Sequence, residues 1–517
     1  MRYPKIRQRT CFMPSYLYDL FRQRSPAADK VFLEALDGRT ITYAGLHEGS
    51  GKLAQTLTAL GVVPGDRVAV QVEKSPDALL LYLACLRAGA IFLPLNTAYT
   101  ANEIDYFLSD AQPRLFVCSP DKKDALAAVA TKAGVAHVET LGEKQDGSLI
   151  SKSRDNSGEF ADVDRGAQDL AAILYTSGTT GRSKGAMLSH GNLASNALTL
   201  VDYWRFTTGD VLIHALPIYH THGLFVATNT LLMAGGSMLF LPRLDAGDIM
   251  RLMPRATSMM GVPTFYTRLL QHAGLTQDAT KHMRLFISGS APLLAETHVE
   301  WRERTGHAIL ERYGMTETNM NTSNPYDGDR RAGTVGFPLP GVDVRITEPD
   351  VENVLAQGEI GMIEVRGPNV FGGYWQMPEK TREELRDNGF FITGDLGKID
   401  ERGYVHIVGR NKDLVITGGF NVYPVEVEAE IDAMPGVAES AVIGLAHADF
   451  GEGVTAVVVP DNKTPIDEAA VLKALEGRLA KFKLPKRVLF VDELPRNTMG
   501  KVQKAALRDT YAGLYKT

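Results

Sequence analysis

The sequence predicts an α/β fold with a large N-terminal domain of layered α/β sheets and a small, mobile C-terminal α+β domain. Three observations support this prediction. The chain has 517 residues, well beyond the roughly 100–200 that are typical of one domain. Short apolar strands alternate with amphipathic helices through the first 400 residues. Near residue 410 the sequence becomes glycine-rich and charged, and a compact unit follows. We therefore expect domains at 1–409 and 410–517.

The first βαβ unit illustrates the pattern of the large domain. Residues 66–72 (DRVAVQV) are predicted to form a strand, and 90–95 (AIFLPL) the next one. The helix between them is expected to have Ser75 as its N-cap, Pro76 in its first turn and Gly89 as its stop.

Later strand candidates are LAAILY, VLIHAL, SMLFLP, LFISG and AILERY, several of them followed at once by Gly, Ser, Thr or His. Open parallel sheets bind ligands beyond the carboxyl ends of their strands. The sequence therefore predicts a functional site at that edge.

The small domain is predicted to run helix, strand, strand, helix, strand, followed by a polar loop and a short helix. The expected bounds are 424–433, 438–443, 454–459, 466–480 and 487–491. The polar stretch 142–160 is expected to be a surface loop of the large domain.

Composition excludes several classes of function. The formal net charge of −6 argues against nucleic-acid binding, which calls for a basic surface. The longest apolar run has nine residues, 78–86, whereas a membrane span needs about 20. Three cysteines without metal or disulfide spacing favour a reducing, cytoplasmic location. The basic start MRYPKIRQRT is interpreted as an extension or an upstream start rather than a transit peptide.

The segment YTSGTTGRSKG, residues 175–185, combines glycines, hydroxyl side chains and two cations. Free backbone N–H groups, hydroxyls and a lysine suit a polyanion such as a triphosphate. A Walker A loop has a different glycine spacing and places Ser or Thr after its lysine, so a P-loop NTPase is disfavoured. A plain structural turn remains the alternative for this segment taken alone.

Six further motifs follow in order: LPIYHTHG, ISGSAPL, ERYGMTET, FFITGDLGKID, VGRNKDLVITGGFNVYPVEVE and LPRNTMGKVQK. From about Leu17 to the C-terminus, the set resembles the adenylate-forming superfamily of acyl-CoA synthetases, luciferases and peptide-synthetase adenylation domains. Ser183 is a departure, because many members carry proline there. The resemblance implies an acyl-adenylate made from ATP, followed by transfer to a thiol.

The resemblance also implies roles for individual residues. Thr316 would bond the α-phosphate, Glu317 would ligate Mg²⁺ with Thr176, and Asp395 and Arg410 would bind the ribose. Lys501 would bridge the substrate carboxylate and the α-phosphate. The remaining nucleotide-binding candidates are Thr176, Ser177, Gly178, Thr179, Thr180, Gly181, Lys184, Gly289, Ser290, Ala291, Tyr313, Gly314 and Met315.

The resemblance further implies rotation of the small domain about Lys412 between two half-reactions. Gly418 and Gly419 would then line the pantetheine tunnel for CoA. From the residues alone, this loop could equally be an ordinary turn.

The acid pocket contains polar and cationic candidates in addition to apolar ones. His220 and His222 lie in YHTHG, Arg243 follows one strand candidate and Arg284 precedes another. A dicarboxylate carries a second charge that must be paired in the pocket, and arginine does so bidentately. Each arginine could instead be a surface residue at a strand end.

Two stretches, residues 310–341 and LPLNTAYT, resemble malonyl-CoA synthetases. That resemblance implies that Arg243, Arg284 and His220 hold the distal carboxylate. Thr221 and Met315 would shape the wall around the α-carbon, and methylmalonate would be a weak substrate.

The sequence therefore predicts a malonate–CoA ligase that uses ATP, Mg²⁺ and CoA and releases AMP and pyrophosphate, without nucleic acid or a membrane span. A CoA ligase for another short or aryl acid is the main alternative. A peptide-synthetase adenylation module and a catalytically inactive binding protein are less favoured. A lysine acetyltransferase and deacetylase acting on Lys501 would regulate the enzyme, because acetylation removes the charge.

Overall fold

Four β-sheets organise the chain in a computed structural model that describes residues 16–176, 183–349, 351–418, 420–447, 449–476, 478–497 and 500–515. The strands are β1 (Val31–Ala35), β2 (Thr40–Thr42), β3 (Arg67–Gln71), β4 (Ile91–Pro94), β5 (Leu115–Cys118), β6 (His137–Thr140), β7 (Leu170–Thr176), β8 (Lys184–Ser189), β9 (Val211–His214), β10 (Ser237–Phe240), β11 (Ser258–Gly261), β12 (Leu285–Ser288), β13 (Leu310–Met315), β14 (Asn319–Ser323), β15 (Phe337–Pro338), β16 (Asp343–Thr347), β17 (Gly361–Arg366), β18 (Phe391–Ile399), β19 (Val405–Arg410), β20 (Val415–Thr417), β21 (Phe420–Val422), β22 (Val437–His447), β23 (Gly451–Pro460) and β24 (Arg487–Phe490).

The α-helices lie mostly between successive strands. They are α1 (Tyr16–Gln23), α2 (Tyr43–Ala59), α3 (Pro76–Ala88), α4 (Ala101–Ala111), α5 (Lys123–Lys132), α6 (Ser148–Ser153), α7 (His190–Tyr203), α8 (Thr230–Ala234), α9 (Ala246–Leu252), α10 (Pro263–Leu270), α11 (Gln277–Thr280), α12 (Ala295–Thr305), α13 (Pro378–Glu384), α14 (Pro424–Asp432), α15 (Glu468–Leu475) and α16 (Lys504–Thr510). A π-helical segment, His222–Asn229, precedes α8.

Two large sheets contain the predicted parallel strands. One has the order β6-β5-β3-β4-β7-β8, and the other β15-β14-β13-β12-β11-β9-β10-β1-β2. All pairs are parallel except those made by β2, β8, β14 and β15. The carboxyl ends of the parallel strands in each sheet therefore share one edge.

Helix α3 confirms the βαβ prediction and lies between the two large sheets. Ser75 accepts a hydrogen bond from the N–H of Ala78, Pro76 opens the helix, and Gly89 ends it in the left-handed region with φ of 70°. The Tyr82 ring contacts Phe92 of β4 and Phe225 of the π-helical segment. Every residue of α3 is buried, because both faces pack against protein.

The polar stretch 142–160, expected to be a loop, contains helix α6, so that prediction was wrong. The buried side chain of Leu149 anchors the helix. The Ser148 N–H donates to Thr140 Oγ1 at 2.8 Å, which fixes the turn that starts it. None of the described helices is long and apolar enough to cross a membrane.

The predicted order of the small domain is confirmed, with differences in length. Its sheet has the order β21-β20-β23-β22, with β24 parallel to β23. Helix α15 is shorter than the expected 466–480. Asp467 caps its start, and the backbone is extended at Glu476.

A separate four-stranded sheet, β16-β17-β18-β19, leads into the small domain. Strand β19 includes Arg410, which pairs with Asp395 of β18. The connection to β20 contains the short 3₁₀ turn Asn411–Asp413, which includes the predicted hinge residue Lys412.

Candidate active site

Side chains from both domains meet beyond the carboxyl ends of β9, β12 and β13. Lys501 of the small domain is near Arg312, Glu317 and Asp395 of the large domain and near Arg410 at the boundary between the two. Burial lowers the pKa of Lys501 to about 8; the positive charges of Arg410 and Arg312 lower it further, and Asp395 and Glu317 raise it. The structure thus brings together four of the predicted site residues, together with Arg312, which the sequence reasoning missed.

The segment around Lys501 is held by a local turn. The Lys501 N–H donates to Asn497 Oδ1 at 2.9 Å, and the Asn497 N–H donates back to the Lys501 carbonyl at 2.9 Å. Gly500 lies against Thr264 of α10, in the large domain. This turn presents the ammonium group at the junction of the domains.

Asp395 is a buried carboxylate held by two donors. Arg410 Nε lies 2.8 Å from its Oδ1, and the hydroxyl of Tyr313 donates to its Oδ2 at 2.6 Å. The negative charge of Asp395 raises the pKa of Arg410, so the guanidinium is charged. A fixed carboxylate beside a fixed guanidinium can accept from and donate to a sugar diol.

Glu317 lies at the other end of the site, next to a second carboxylate. The hydroxyl of Tyr374 is 2.6 Å from Glu384 Oε2 and 3.1 Å from Glu317 Oε1. Lys184 Nζ lies 3.0 Å from Glu384 Oε1 and 4.2 Å from the centre of the Tyr374 ring. Burial raises the pKa of Glu317, and Lys184 partly opposes this.

This geometry fits a divalent cation at Glu317. The Tyr374 hydroxyl has one proton, and the shorter contact assigns it to Glu384. Glu317 Oε1 then keeps lone pairs available for a metal. Mg²⁺ is commonly held by one or two carboxylates plus phosphate oxygens and water. Thr176, the other predicted ligand, donates its hydroxyl to the Lys184 carbonyl at 3.5 Å.

Part of the predicted phosphate loop lies outside the described residues: Ser177, Gly178, Thr179, Thr180 and Gly181. Strands β7 and β8 flank it, pairing Thr176 with Lys184.

His220 and His222 form the wall of the site next to Lys501. The His222 N–H donates to His220 Nδ1 at 3.2 Å, so neutral His220 carries its proton on Nε2. Burial lowers the pKa of His220 to about 3, assisted by Lys501 and Arg312. His222 Nδ1 lies 3.2 Å from the hydroxyl of Ser290. At neutral pH both rings are uncharged hydrogen-bonding groups.

Ser290 belongs to the predicted adenine segment and has φ of 71°, a strained value for a residue with a side chain. Its neighbours Gly289 and Ala291 follow β12. Gly314 requires glycine for another reason: a Cβ there would lie 1.8 Å from the Asn319 carbonyl oxygen. Ser290, after β12, and Gly314, at a pairing irregularity of β13, therefore both lie in closely packed backbone near the carboxyl edge of the sheet.

Arg312 is the functional candidate that the sequence reasoning missed. It is 3% exposed, and its Nε and Nη2 have no hydrogen-bond partner among the described residues. Burial lowers its pKa to about 9. Side chains of successive residues point to opposite faces of β13. Glu311 contacts His298 at 3.0 Å on one face, and Arg312 therefore lies on the other face, away from this histidine. The sequence signal that could have identified Arg312 as a site residue was a charged side chain inside an otherwise buried strand.

Gly289 makes room for this guanidinium. A Cβ at Gly289 would lie 2.5 Å from the Cζ and Nη1 of Arg312. Burial lowers the pKa values of His220 and His222, and the charge of Arg312 lowers both further because it lies near the histidine wall. A buried, unpaired cation in this position is suited to bind an anion.

Arg284 does not lie in this pocket, so its predicted role was wrong. It precedes β12 and is therefore at the amino edge of the sheet, opposite the site. Its Nε pairs with Asp210 Oδ1 at 2.7 Å, and its Nη1 donates to the Trp204 carbonyl at 3.1 Å. Arg284 joins the starts of β9 and β12.

Three other acid-pocket candidates are at the carboxyl edge. Arg243 is exposed after β10, without a hydrogen bond or ion pair to another described residue. Thr221 is buried with its hydroxyl unpartnered among the described residues. Met315, partly buried, has its sulfur 4.0 Å from the Tyr313 hydroxyl.

The predicted hinge and tunnel residues lie near the start of the small domain. Lys412 is partly buried, and burial lowers its pKa. Gly418 has φ of 55° in the β20–β21 turn, and its N–H donates to the Phe450 carbonyl at 2.8 Å. Gly419 lies outside the described residues.

Comparison with known proteins extends these observations. Residues 20–375 match the family model described as AMP-binding enzyme, and 426–501 match that of the AMP-binding enzyme C-terminal domain. The chain is 33% identical to malonate–CoA ligase of Arabidopsis thaliana, covering 94% of this chain and 87% of that protein. It is 37% identical to a feruloyl-CoA synthase of Amycolatopsis, with coverages of 91% and 94%. The ATP-bound structure of MatB from Rhodopseudomonas palustris superposes with a TM-score of 0.96 at 66% identity, covering 98% of this chain and all of that one.

Proposed function

The chain belongs to the AMP-binding enzyme family, and from this premise we propose that it ligates malonate to CoA through a malonyl-adenylate. In the first step, a malonate carboxylate oxygen bonds to the α-phosphorus of ATP, and pyrophosphate leaves. In the second step, the CoA thiolate attacks the acyl carbon. The products are malonyl-CoA and AMP, and the thiol proton is released to solvent.

The buried guanidinium of Arg312 is the observation that carries the choice of acid. Malonate is short and has two carboxylates, one that reacts and one that must be bound. Arg312 lies beside neutral His220 and has two unpartnered nitrogens, a suitable arrangement for a carboxylate. Benzoate would bring only apolar surface to this cation, and ferulate only neutral oxygens, so neither would pair the buried charge, which is costly. Exposed Arg243 is the second predicted cation of this pocket.

Adenylation proceeds in this proposal by positioning and charge neutralisation. Lys501 binds both the reacting carboxylate and the α-phosphate, and Thr316 bonds the same phosphate. Asp395 and Arg410 hold the ribose, and the Gly289–Ala291 turn with Tyr313 binds the adenine. Mg²⁺ held by Glu317 supplies charge compensation for the phosphates.

Lys184 and the 177–181 segment would bind the β- and γ-phosphates. In the same proposal, the small domain turns about Lys412 after adenylation. Gly418 and Gly419 then line the tunnel for pantetheine.

Cellular location and regulation are part of the proposal. The described cysteines, Cys85 and Cys118, are buried thiols, consistent with the reducing cytoplasm. Lys501 is only partly buried, and an acetyltransferase acting on it would abolish adenylation by removing its charge.

Pyrophosphate release tests the function. Purified protein with ATP, Mg²⁺ and CoA would be offered acetate, octanoate, benzoate, ferulate, malonate, methylmalonate and succinate. We expect kcat/KM for malonate to exceed that for each monocarboxylate by 100-fold or more, with weak activity on methylmalonate. Preference for ferulate or benzoate would keep the ligase chemistry and refute malonate as the substrate.

A further inference from the structure

We propose that Lys74 is a positioning residue for malonate, which acts through His214 to fix the turn that carries His220 and His222. The inference rests on the proposed function, because it concerns the acid site of that reaction. Neither Lys74 nor His214 is among the site residues that the sequence predicted.

Lys74 and His214 connect the two large sheets at their carboxyl edges. Lys74 follows β3 of the six-stranded sheet, and His214 is the last residue of β9 in the nine-stranded sheet. Lys74 Nζ lies 3.0 Å from His214 Nδ1 and donates to the His214 carbonyl at 2.8 Å. The active site is divided between the same sheets, because β8 contributes Lys184 and β13 contributes Arg312. The bridge therefore holds the two halves of the site in register.

The hydrogen bonds around His214 specify its tautomer. His214 Nε2 lies 2.8 Å from the Gly223 carbonyl oxygen, which can only accept. The proton of the neutral ring is therefore on Nε2, and Nδ1 accepts from Lys74. The opposite tautomer would place two lone pairs against each other at 2.8 Å. Lys74 thus selects the form of His214 that binds Gly223.

Gly223 is the anchor of the histidine turn. Its carbonyl also accepts from the Thr228 hydroxyl at 3.0 Å, and a Cβ at this glycine would lie 2.1 Å from the Pro217 carbonyl oxygen. The Leu224 N–H donates to the His220 carbonyl at 3.0 Å, which closes the turn. Loss of the His214 bond would free the segment that aims His220 at the acid.

The choice of lysine here is costly for stability. Lys74 has no ion pair with any acid of the described residues, and burial lowers its pKa well below its ordinary range. Its Nζ lies 4.2 Å from the centre of the Phe240 ring. A buried amine without a carboxylate is expensive, and such groups concentrate at functional sites.

Lys74→Met is the direct test, because it keeps an unbranched side chain, one atom shorter, and removes the donors. We expect kcat/KM for malonate to fall about 10- to 100-fold, since small misplacements of a reacting group have effects of this size. KM for MgATP should stay within twofold of wild type. Lys30→Met is the matched control, because Lys30 also makes two hydrogen bonds, to the carbonyls of Thr208 and Gly235, but at the amino edge. It should leave both parameters unchanged.

His214→Gln provides a second variant, and it decides the matter if Lys74→Met does not fold. Glutamine keeps a donor for Gly223 and loses the ring nitrogen that accepts from Lys74. We expect a loss of about 10-fold in kcat/KM for malonate, and the double variant should lose less than the product of the two single losses.

Three outcomes would overturn the inference. The first is a folded Lys74→Met enzyme whose kcat/KM for malonate equals that of Lys30→Met. The second is a double variant whose loss in kcat/KM is the product of the two single losses. The third is a His214→Gln enzyme that is impaired equally toward malonate and MgATP. Wild-type enzyme inactive on malonate would refute the proposed function itself, and this inference with it.

Discussion

Replacing Arg312 with methionine should weaken catalysis and strengthen the fold, two effects of opposite sign from one substitution. The stability effect follows from burial. Burial lowers the pKa of Arg312 to about 9, which corresponds to at most about 5 kcal/mol of destabilisation of the charged form in the protein. Exchange of a buried, uncompensated charge for an apolar side chain is often neutral or stabilising by about 1–4 kcal/mol. We expect a free energy of unfolding equal to or above that of wild type.

The catalytic effect follows from the loss of the carboxylate partner. Truncating one member of a buried, hydrogen-bonded charge pair costs about 2–5 kcal/mol, which corresponds to a roughly 30- to 5000-fold decrease in kcat/KM for malonate. Binding of MgATP should change little, because its predicted ligands are other residues. Pyrophosphate release measures the first quantity, and urea denaturation in malonate-free buffer measures the stability.

Arg330→Met is the control for this experiment. The Arg330 guanidinium donates to three backbone carbonyls, those of Pro325, Ala308 and Tyr326, at 3.2, 2.9 and 2.7 Å. Its removal leaves those carbonyls without donors and should lower stability while kcat/KM for malonate is unchanged. The reasoning is refuted if Arg312→Met lowers stability as Arg330→Met does and keeps malonate activity within threefold of wild type.

Three further predictions concern the edges of the site. Arg284→Ala should lower the free energy of unfolding by about 3 kcal/mol in urea denaturation, because it leaves buried Asp210 without its ion-pair partner. KM for malonate should not change, and a tenfold rise in that KM would show that Arg284 does bind the acid. Glu384→Gln should raise Kd for MgATP in titration calorimetry and KM in kinetics by about 3- to 10-fold, because Lys184 loses its ion pair and the Tyr374 proton is released toward the metal-binding carboxylate. The exposed control Glu383→Gln should change neither, and equal values for the two variants would contradict this. Burial lowers the pKa of Lys501 to about 8, so its ammonium group is present below that pH and lost above it. We therefore expect kcat/KM for malonate to fall as the pH rises through about 8. A flat pH profile up to pH 10 would exclude an essential Lys501 charge.

Local signals predicted the fold well. Ser75, Pro76 and Gly89 specify the ends of α3 by capping chemistry that involves only near neighbours in the chain. Helix α15 was overestimated because the prediction passed over Gly477, the glycine stop signal that directly follows the extended backbone of Glu476. Helix α6 was missed because one buried leucine, Leu149, outweighs a polar segment.

The acid pocket was less accessible to sequence reasoning. A residue immediately before a parallel strand lies at the amino edge, which by itself would have removed Arg284 from a carboxyl-edge site. Arg312 was hidden because its role depends on which face of β13 it occupies. The Lys184–Glu384 pair joins residues 200 positions apart, and no local pattern announces such a contact.

The positive charges of Arg312 and Lys501 affect how any acid enters the site. Arg312 and Lys501 form no ion pair with an acid of the described residues, and two nitrogens of Arg312 are unpartnered there, so their field attracts small anions from bulk solution. Arrival of malonate is then an ion exchange: chloride, phosphate or sulfate from the buffer must leave as the dicarboxylate enters. The apparent affinity for malonate is consequently a joint property of the protein and the surrounding electrolyte, and divalent oxyanions of similar size act as competitors of the natural acid.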